Sequence, residues 1–214
     1  MTATAQPLRL LLLGATGAVG REVLALALAD PRVAQVTAPT RRALAPHARL
    51  LNPVIDFTQL DAAAPWWRAD AVVCALGTTI KVAGSRAAFA AVDRDLVIGT
   101  ARLARQAGAT RMALNSSLGA SAQGNFYLRT KAEAEEGVRA LGYPSLAIVR
   151  PSLIAAERES SRPGEVAGLW VSRALGPLIP RRYRPVAAAR IARALLEAAL
   201  QGAPGERTIE SEHL

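Results

Sequence analysis

Two short runs in this chain have residue types and spacings that could do chemistry. The first is the glycine-rich turn Gly14-Ala15-Thr16-Gly17-Ala18-Val19-Gly20, spaced GxxGxxG. It follows the apolar run Leu8 to Leu13 and opens a helix-forming stretch, the context in which such a turn binds a dinucleotide. One glycine permits a tight turn, a second lets the backbone approach a pyrophosphate, and a third lets helix pack close on strand. The helix start then offers unpaired N–H groups and a partial positive charge to phosphate. The competing reading is an ordinary strand-to-helix turn. Its place at the first strand of an alternating chain favours the cofactor.

The second run is Tyr127-Leu128-Arg129-Thr130-Lys131. Residues four apart share a helical face, so phenol and ammonium can reach one ligand. An ammonium beside a phenol favours the phenolate. Such a tyrosine can exchange a proton with a carbonyl or alcohol while a nicotinamide exchanges hydride. Ser116 and Ser117, just after an expected strand, could orient that oxygen. The chain has three tyrosines and only two lysines, Lys81 and Lys131. A pair at this spacing arises in only about 3% of shuffled sequences, a measure of the motif's false-positive risk. The competing reading is a surface helix pair, but this sequence uses arginine wherever a generic cation suffices.

The turn after the second expected strand reads Thr40-Arg41-Arg42, with no acid. An acid there would hydrogen-bond a free ribose hydroxyl. Two guanidinium forks suit a 2′-phosphate instead, so the expected cofactor is NADP(H).

The elements that must position these groups alternate along the chain. Strands are expected at Leu8–Leu13, Ala34–Thr40, Val54–Phe57, Ala69–Leu76, Arg111–Asn115, Leu146–Val149 and Arg207–Glu210. Helices are expected at Val19–Ala29, Arg86–Ala107, Phe126–Leu141 and Pro185–Gln201. This βαβα rhythm predicts an α/β fold, a doubly wound parallel sheet of Rossmann type. With 214 residues, 51% of them apolar, residues 1–214 are expected to form one NAD(P)-binding domain. Residues 155–185, rich in Arg, Gly, Pro and Ser, read as a small substrate-side excursion.

Composition excludes several classes. Cys74 alone can form no intrachain disulfide, and His47 and His213 are the only histidines, so no metal site is expected. The run Leu10 to Leu13 is too short for a signal or membrane segment, and with one cysteine this points to the cytoplasm and away from membranes. The net charge of +9 raises nucleic-acid binding. Its basic residues are spread out, however, and aromatics total 4%, so no specific nucleic-acid partner is expected. Lys81, in an expected loop after the fourth strand, reads equally as a solvated residue or as a contact to substrate or cofactor phosphate, whereas Arg181 to Arg184 read as a solvated face in preference to a site for an acidic partner. Trp66 and Trp67 read as packing a helix end, and Cys74 as core.

With these residues in view, the chain resembles the atypical short-chain dehydrogenases/reductases. Within them it is similar to Tat-interactive-protein-type oxidoreductases and to bacterial nucleoside-diphosphate-sugar-epimerase-like NAD(P)-binding proteins. The resemblance is carried by GATGAVG (14–20), CALGTTIKVAGS (74–85), AVDRDLVIGTARLARQAG (91–108), NSSLGA (115–120), YLRTK (127–131), IVRPSLI (148–154) and ERESSRPGE (157–165).

The resemblance implies roles for particular residues. Gly14, Thr16, Gly17, Ala18, Val19 and Gly20 would hold the pyrophosphate, and Arg41 and Arg42 the adenosine phosphate. Asp56 and Phe57 would flank the adenine, and Ala75, Leu76 and Gly77 the cofactor's middle. Pro151, Ser152 and Leu153 would approach the nicotinamide. Ser117, Tyr127 and Lys131 match the catalytic serine, tyrosine and lysine, with Ser116 the alternative serine. Lys131 would also bind the nicotinamide ribose. Where many members carry an asparagine on the preceding helix, this chain has Asp93 and Asp95. The segment after Leu153 is short for a nucleotide-sugar lid.

The expected function is therefore an NADP(H)-dependent oxidoreductase acting on a small carbonyl or alcohol, an arrangement compatible with a homodimer. The alternative is a non-catalytic NADP(H)-binding redox sensor.

Overall fold

Strand β1, Leu8–Leu13, sits at the centre of the sheet, and its last four leucines have no exposed surface. An unbroken leucine run forms here because both faces of the strand are covered. Leu10 and Leu12 enter one core layer and Leu11 and Leu13 the other.

The computed structural model of the chain describes residues 6–155 and 180–214. Beside β1 the sheet contains β2 (Val33–Thr37), β3 (Leu50–Leu51), β4 (Ala71–Cys74), β5 (Arg111–Asn115), β6 (Ser145–Arg150) and β9 (Gly205–Glu210). Their order is β3-β2-β1-β4-β5-β6-β9, and every pairing is parallel. Strand order reverses between β1 and β4, the switch point at which open α/β sheets bind ligands beyond the strands' carboxyl ends. Two short strands, β7 (Ile154–Ala155) and β8 (Val186–Ala187), pair with each other just beyond β6. The chain thus folds as the single doubly wound domain expected.

Helices α1 (Ala18–Ala29) and α6 (Ala188–Gln201) cover one face, burying Val19, Val23, Ala27, Ile191 and Leu195. Helices α4 (Val97–Gln106) and α5 (Phe126–Arg139) cover the other, burying Val97, Ala101, Ala104, Ala134 and Val138. Several arginines serve this scaffold. Arg49 donates to the carbonyls of Leu28 and Asp30 at the end of α1 and to that of Val33 at the start of β2. Arg111 donates to Leu200 O at the end of α6 at 2.6 Å. Both satisfy carbonyls that a helix end leaves without partners.

The structure corrects three expectations. The third strand is Leu50–Leu51, not Val54–Phe57, and only Val54 forms a bridge, to Thr40. Pro53 has no N–H to continue a ladder, and the Asn52 amide turns aside to donate to Ala38 O and Thr40 Oγ1. The expected helix Arg86–Ala107 is three pieces: α3 (Arg86–Ala90), a π-helical segment (Ala91–Leu96) and α4. Lys81 lies in a further one-turn helix, α2 (Ile80–Ala83), where a loop was expected. Thr79 caps that turn, its hydroxyl accepting from Val82 N. The expected excursion lies outside the described residues, apart from residue 155 and residues 180–185.

Candidate functional site

The glycine turn joins β1 to α1 at the switch point. Gly14 has φ +85°, and a Cβ there would stand 2.6 Å from the carbonyl of Ala75. A Cβ on Gly20 would stand 2.0 Å from Gly14 O, so α1 lies hard against the turn. Gly17 is different. It is exposed, its φ is −76°, and a Cβ would meet only Gly14 O, at 3.4 Å. Gly17 is also the N-cap of α1, with no side-chain cap and no acid in the first turn. This leaves an open helix start with bare N–H donors, which fits a dinucleotide pyrophosphate. Thr16 is exposed and Ala18 half-buried, whereas the Val19 side chain is buried in the core. Only the backbone of Val19 is therefore available to a phosphate.

One strand away, Arg41 and Arg42 follow the end of β2 and are exposed, with no acidic partner among the described residues. Their loop is fixed from beneath. Thr40 Oγ1 donates to Arg42 O at 2.6 Å, and Asn52 Oδ1 accepts from Leu44 N at 2.7 Å. Ile55 N donates to Thr40 O at 2.9 Å, which brings Asp56 and Phe57 to the same sheet edge. The Asp56 carboxylate accepts from the N–H and hydroxyl of Thr58, both at 2.8 Å. Those bonds, the N–H first, hold its carboxyl below the usual range.

On the other side of the turn, Ala75 N donates to Leu13 O, and the chain runs on through Leu76 and Gly77. A Cβ on Gly77 would stand 3.4 Å from Asp93 Oδ1 and 3.8 Å from Lys131 Nζ. These two groups form an ion pair of 2.6 Å, with side-chain exposures of only 1% and 8%. Asp93 lies in the π segment, and its Oδ2 accepts from Thr78 N at 2.8 Å. Asp95 instead pairs with Arg94 in solvent. The neighbouring Cys74 is fully buried, and that burial pushes its thiol up to about 11. It is therefore a poor nucleophile.

The two serines after β5 have different surroundings. Ser116 is buried and donates to Glu135 Oε1 at 2.5 Å. Ser117 is half-buried, and its hydroxyl makes only a long contact of 3.4 Å to Leu118 O. Tyr127 packs its ring on Phe89, with centroids 5.5 Å apart. Its hydroxyl has no hydrogen-bond partner among the described residues. Of the two serines, then, Ser117 has the hydroxyl that a ligand could use.

Behind these groups Glu135 is the hub of a buried network. It takes Arg150 Nε at 2.9 Å and Nη2 at 2.5 Å, besides Ser116. Arg150 continues to Glu210 at 3.3 Å. The network ties α5 to β5, β6 and β9. Beyond Arg150, Pro151 is buried, Ser152 donates to Arg184 O and Leu153 is exposed. Leu118 N donates to Pro151 O, which joins the serine loop to this segment.

Sequence reasoning placed Asp93 nearby without a role and missed Glu135 and Arg150. The available signal for Glu135 was its spacing, four residues after Lys131 on the same helical face. Among the described residues no group of His, Cys, Asp and Glu could hold a metal ion, and no helix is long and apolar enough to cross a membrane.

A family model described as NAD(P)H-binding matches residues 14–201. A protein of Emericella nidulans named "Protein fmp52, mitochondrial" is 39% identical over 176 residues, covering 77% of this chain and 75% of its own. Protein HTATIP2 of Rattus norvegicus is 37% identical over 168 residues, covering 76% and 67%. Among solved structures, the Bordetella bronchiseptica enzyme WbmG in complex with NAD superimposes with a TM-score of 0.70. Its identity is 16%, covering 99% of this chain and 75% of that one.

These names correct the expected cytoplasmic location. The Emericella protein and other fungal relatives are named mitochondrial. A lone cysteine argues only against a disulfide framework and does not tell one reducing compartment from another.

Proposed function

Since this chain belongs to the NAD(P)H-binding family, we propose that it is an NADP(H)-dependent oxidoreductase of short-chain dehydrogenase/reductase type, acting on a small carbonyl or alcohol. The observation that carries the proposal is the burial of Lys131. A lysine serving only a surface helix would extend into water, and lysines are almost never buried unless paired. Here the ammonium is carried inward to Asp93, beside the loop that touches the glycine turn.

In this reading the first N–H groups of α1 bind the pyrophosphate, and Arg41 and Arg42 bind the 2′-phosphate. A bound nicotinamide would supply hydride to a carbonyl carbon. Tyr127 gives its phenolic proton to the carbonyl oxygen, completing the alcohol. Ser117 donates a hydrogen bond to that oxygen. Lys131 holds ribose hydroxyls and offers its positive charge to the tyrosine one turn earlier. In the reverse direction the phenolate takes the alcohol's proton.

The test is a screen of aldehydes, ketones and quinones for NADPH oxidation. At least one class is expected to be reduced. Tight NADPH binding with no turnover across a broad panel would contradict the oxidoreductase and favour the non-catalytic sensor.

A further inference from the structure

We propose that Asp93 is the positioning residue for Lys131, and that the π turn of Ala91–Leu96 is what carries its carboxylate to the ammonium. The inference rests on the cofactor-binding reading above. Asp93 Oδ1 has no partner among the described residues other than Lys131 Nζ, at 2.6 Å. Its Oδ2 is taken by Thr78 N at 2.8 Å. Two donors from two different elements thus converge on two oxygens.

Only a carboxylate meets that demand at this length. An asparagine has one acceptor oxygen, and its amide nitrogen would face either the Thr78 N–H or the ammonium. The bridge joins α5, which carries Tyr127 and Lys131, to the loop after β4. Gly77 leaves the approach open, since any Cβ there would stand against both members of the pair.

The ammonium has three N–H donors. One is directed to Asp93, and the other two have no partner among the described residues. They remain for ligand hydroxyls, and the carboxylate sets the direction in which they point. π turns recur within helices at functional sites. Here the extra residue in the turn brings Asp93 inward, while Asp95 stays outside with Arg94.

The experiment is a calorimetric titration of NADPH into the wild type, Asp93→Asn, Lys131→Met and the double variant. Asp93→Asn and Lys131→Met should each weaken NADPH by about tenfold, the size expected when a buried charged group loses a hydrogen-bond partner. The double variant should bind no more weakly than Lys131→Met, because Asp93 acts through the lysine. In Asp93→Asn the affinity should also fall more steeply above neutral pH than in the wild type, since a buried ammonium without a counter-charge sheds its proton more easily. The charged and titratable groups facing that ammonium are Asp93 from the π segment and Cys74 from β4.

A wild type that binds no NADPH would overturn the cofactor reading and this inference with it. A wild type that binds, with Lys131→Met weakened and Asp93→Asn unchanged, would overturn the positioning role alone. If Asp93→Asn fails to fold, the comparison of Lys131→Met with the neutral double variant decides. A further loss of affinity in the double variant would mean that Asp93 acts independently of the lysine.

Discussion

At the scale of single residues, the three glycines of the turn separate folding from binding. Gly14 needs its positive φ, and Gly20 has Gly14 O where a Cβ would sit, so substitution at either strains the fold. Gly17 has an ordinary φ, and a Cβ there would make only an ordinary contact, 3.4 Å from Gly14 O. Gly17→Val is therefore expected to leave the circular dichroism spectrum unchanged while NADPH binding is lost, its branched side chain standing against the pyrophosphate. Normal NADPH affinity in this variant would mean that the turn is misassigned.

The same residues show what a sequence can disclose. Tyr127 and Lys131 were legible because one helical face is a matter of spacing alone. The partner of Lys131 was not. A helical period of 3.6 cannot place Asp93, because the residue lies within the π segment, which departs from that period. The choice between Ser116 and Ser117 also waited on the structure, since it depends on which hydroxyl Glu135 occupies.

At the scale of elements, the site depends on how α5 is seated. Glu135 holds the helix to Ser116 on β5's exit and to Arg150 at the end of β6. Removing Glu135 strips Arg150 of its two short bonds and leaves it only the longer contact to Glu210, and breaking a buried pair costs about 3–5 kcal/mol. Glu135→Leu should lower the unfolding free energy in urea by that order. A change of less than about 1 kcal/mol, the scale of an exposed pair, would show that the network is not structural. The strand and helix order was legible from the alternation of apolar runs and glycine stops. β3 was not, because Pro53 and the side chain of Asn52 cut its pairing short.

At the scale of the whole molecule, the positive charge is distributed over structural and functional tasks. Arg49 and Arg111 close helix ends, and Arg150 is committed to Glu135. Arg41 and Arg42 stand exposed at the sheet's carboxyl edge with no acidic partner among the described residues. The nearby Asp56 carboxylate is engaged by Thr58. NADPH should consequently bind more tightly than NADH, and the variant Arg41→Ala/Arg42→Ala should lose NADPH affinity while NADH affinity barely changes. Equal titration curves for the two cofactors would remove the assignment.

The central claim is that the free phenol of Tyr127 completes a hydride transfer. It is tested most directly by the steady-state rate of NADPH oxidation with a reducible carbonyl, measured for the wild type and Tyr127→Phe at saturating NADPH. The substitution removes the proton donor and little volume. Turnover should fall by about 10²–10⁴-fold, the range for losing a general acid, while NADPH affinity stays within about twofold of wild type, well under the tenfold step of 1.4 kcal/mol. A Tyr127→Phe variant that reduces the same carbonyl at the full wild-type rate would contradict the account.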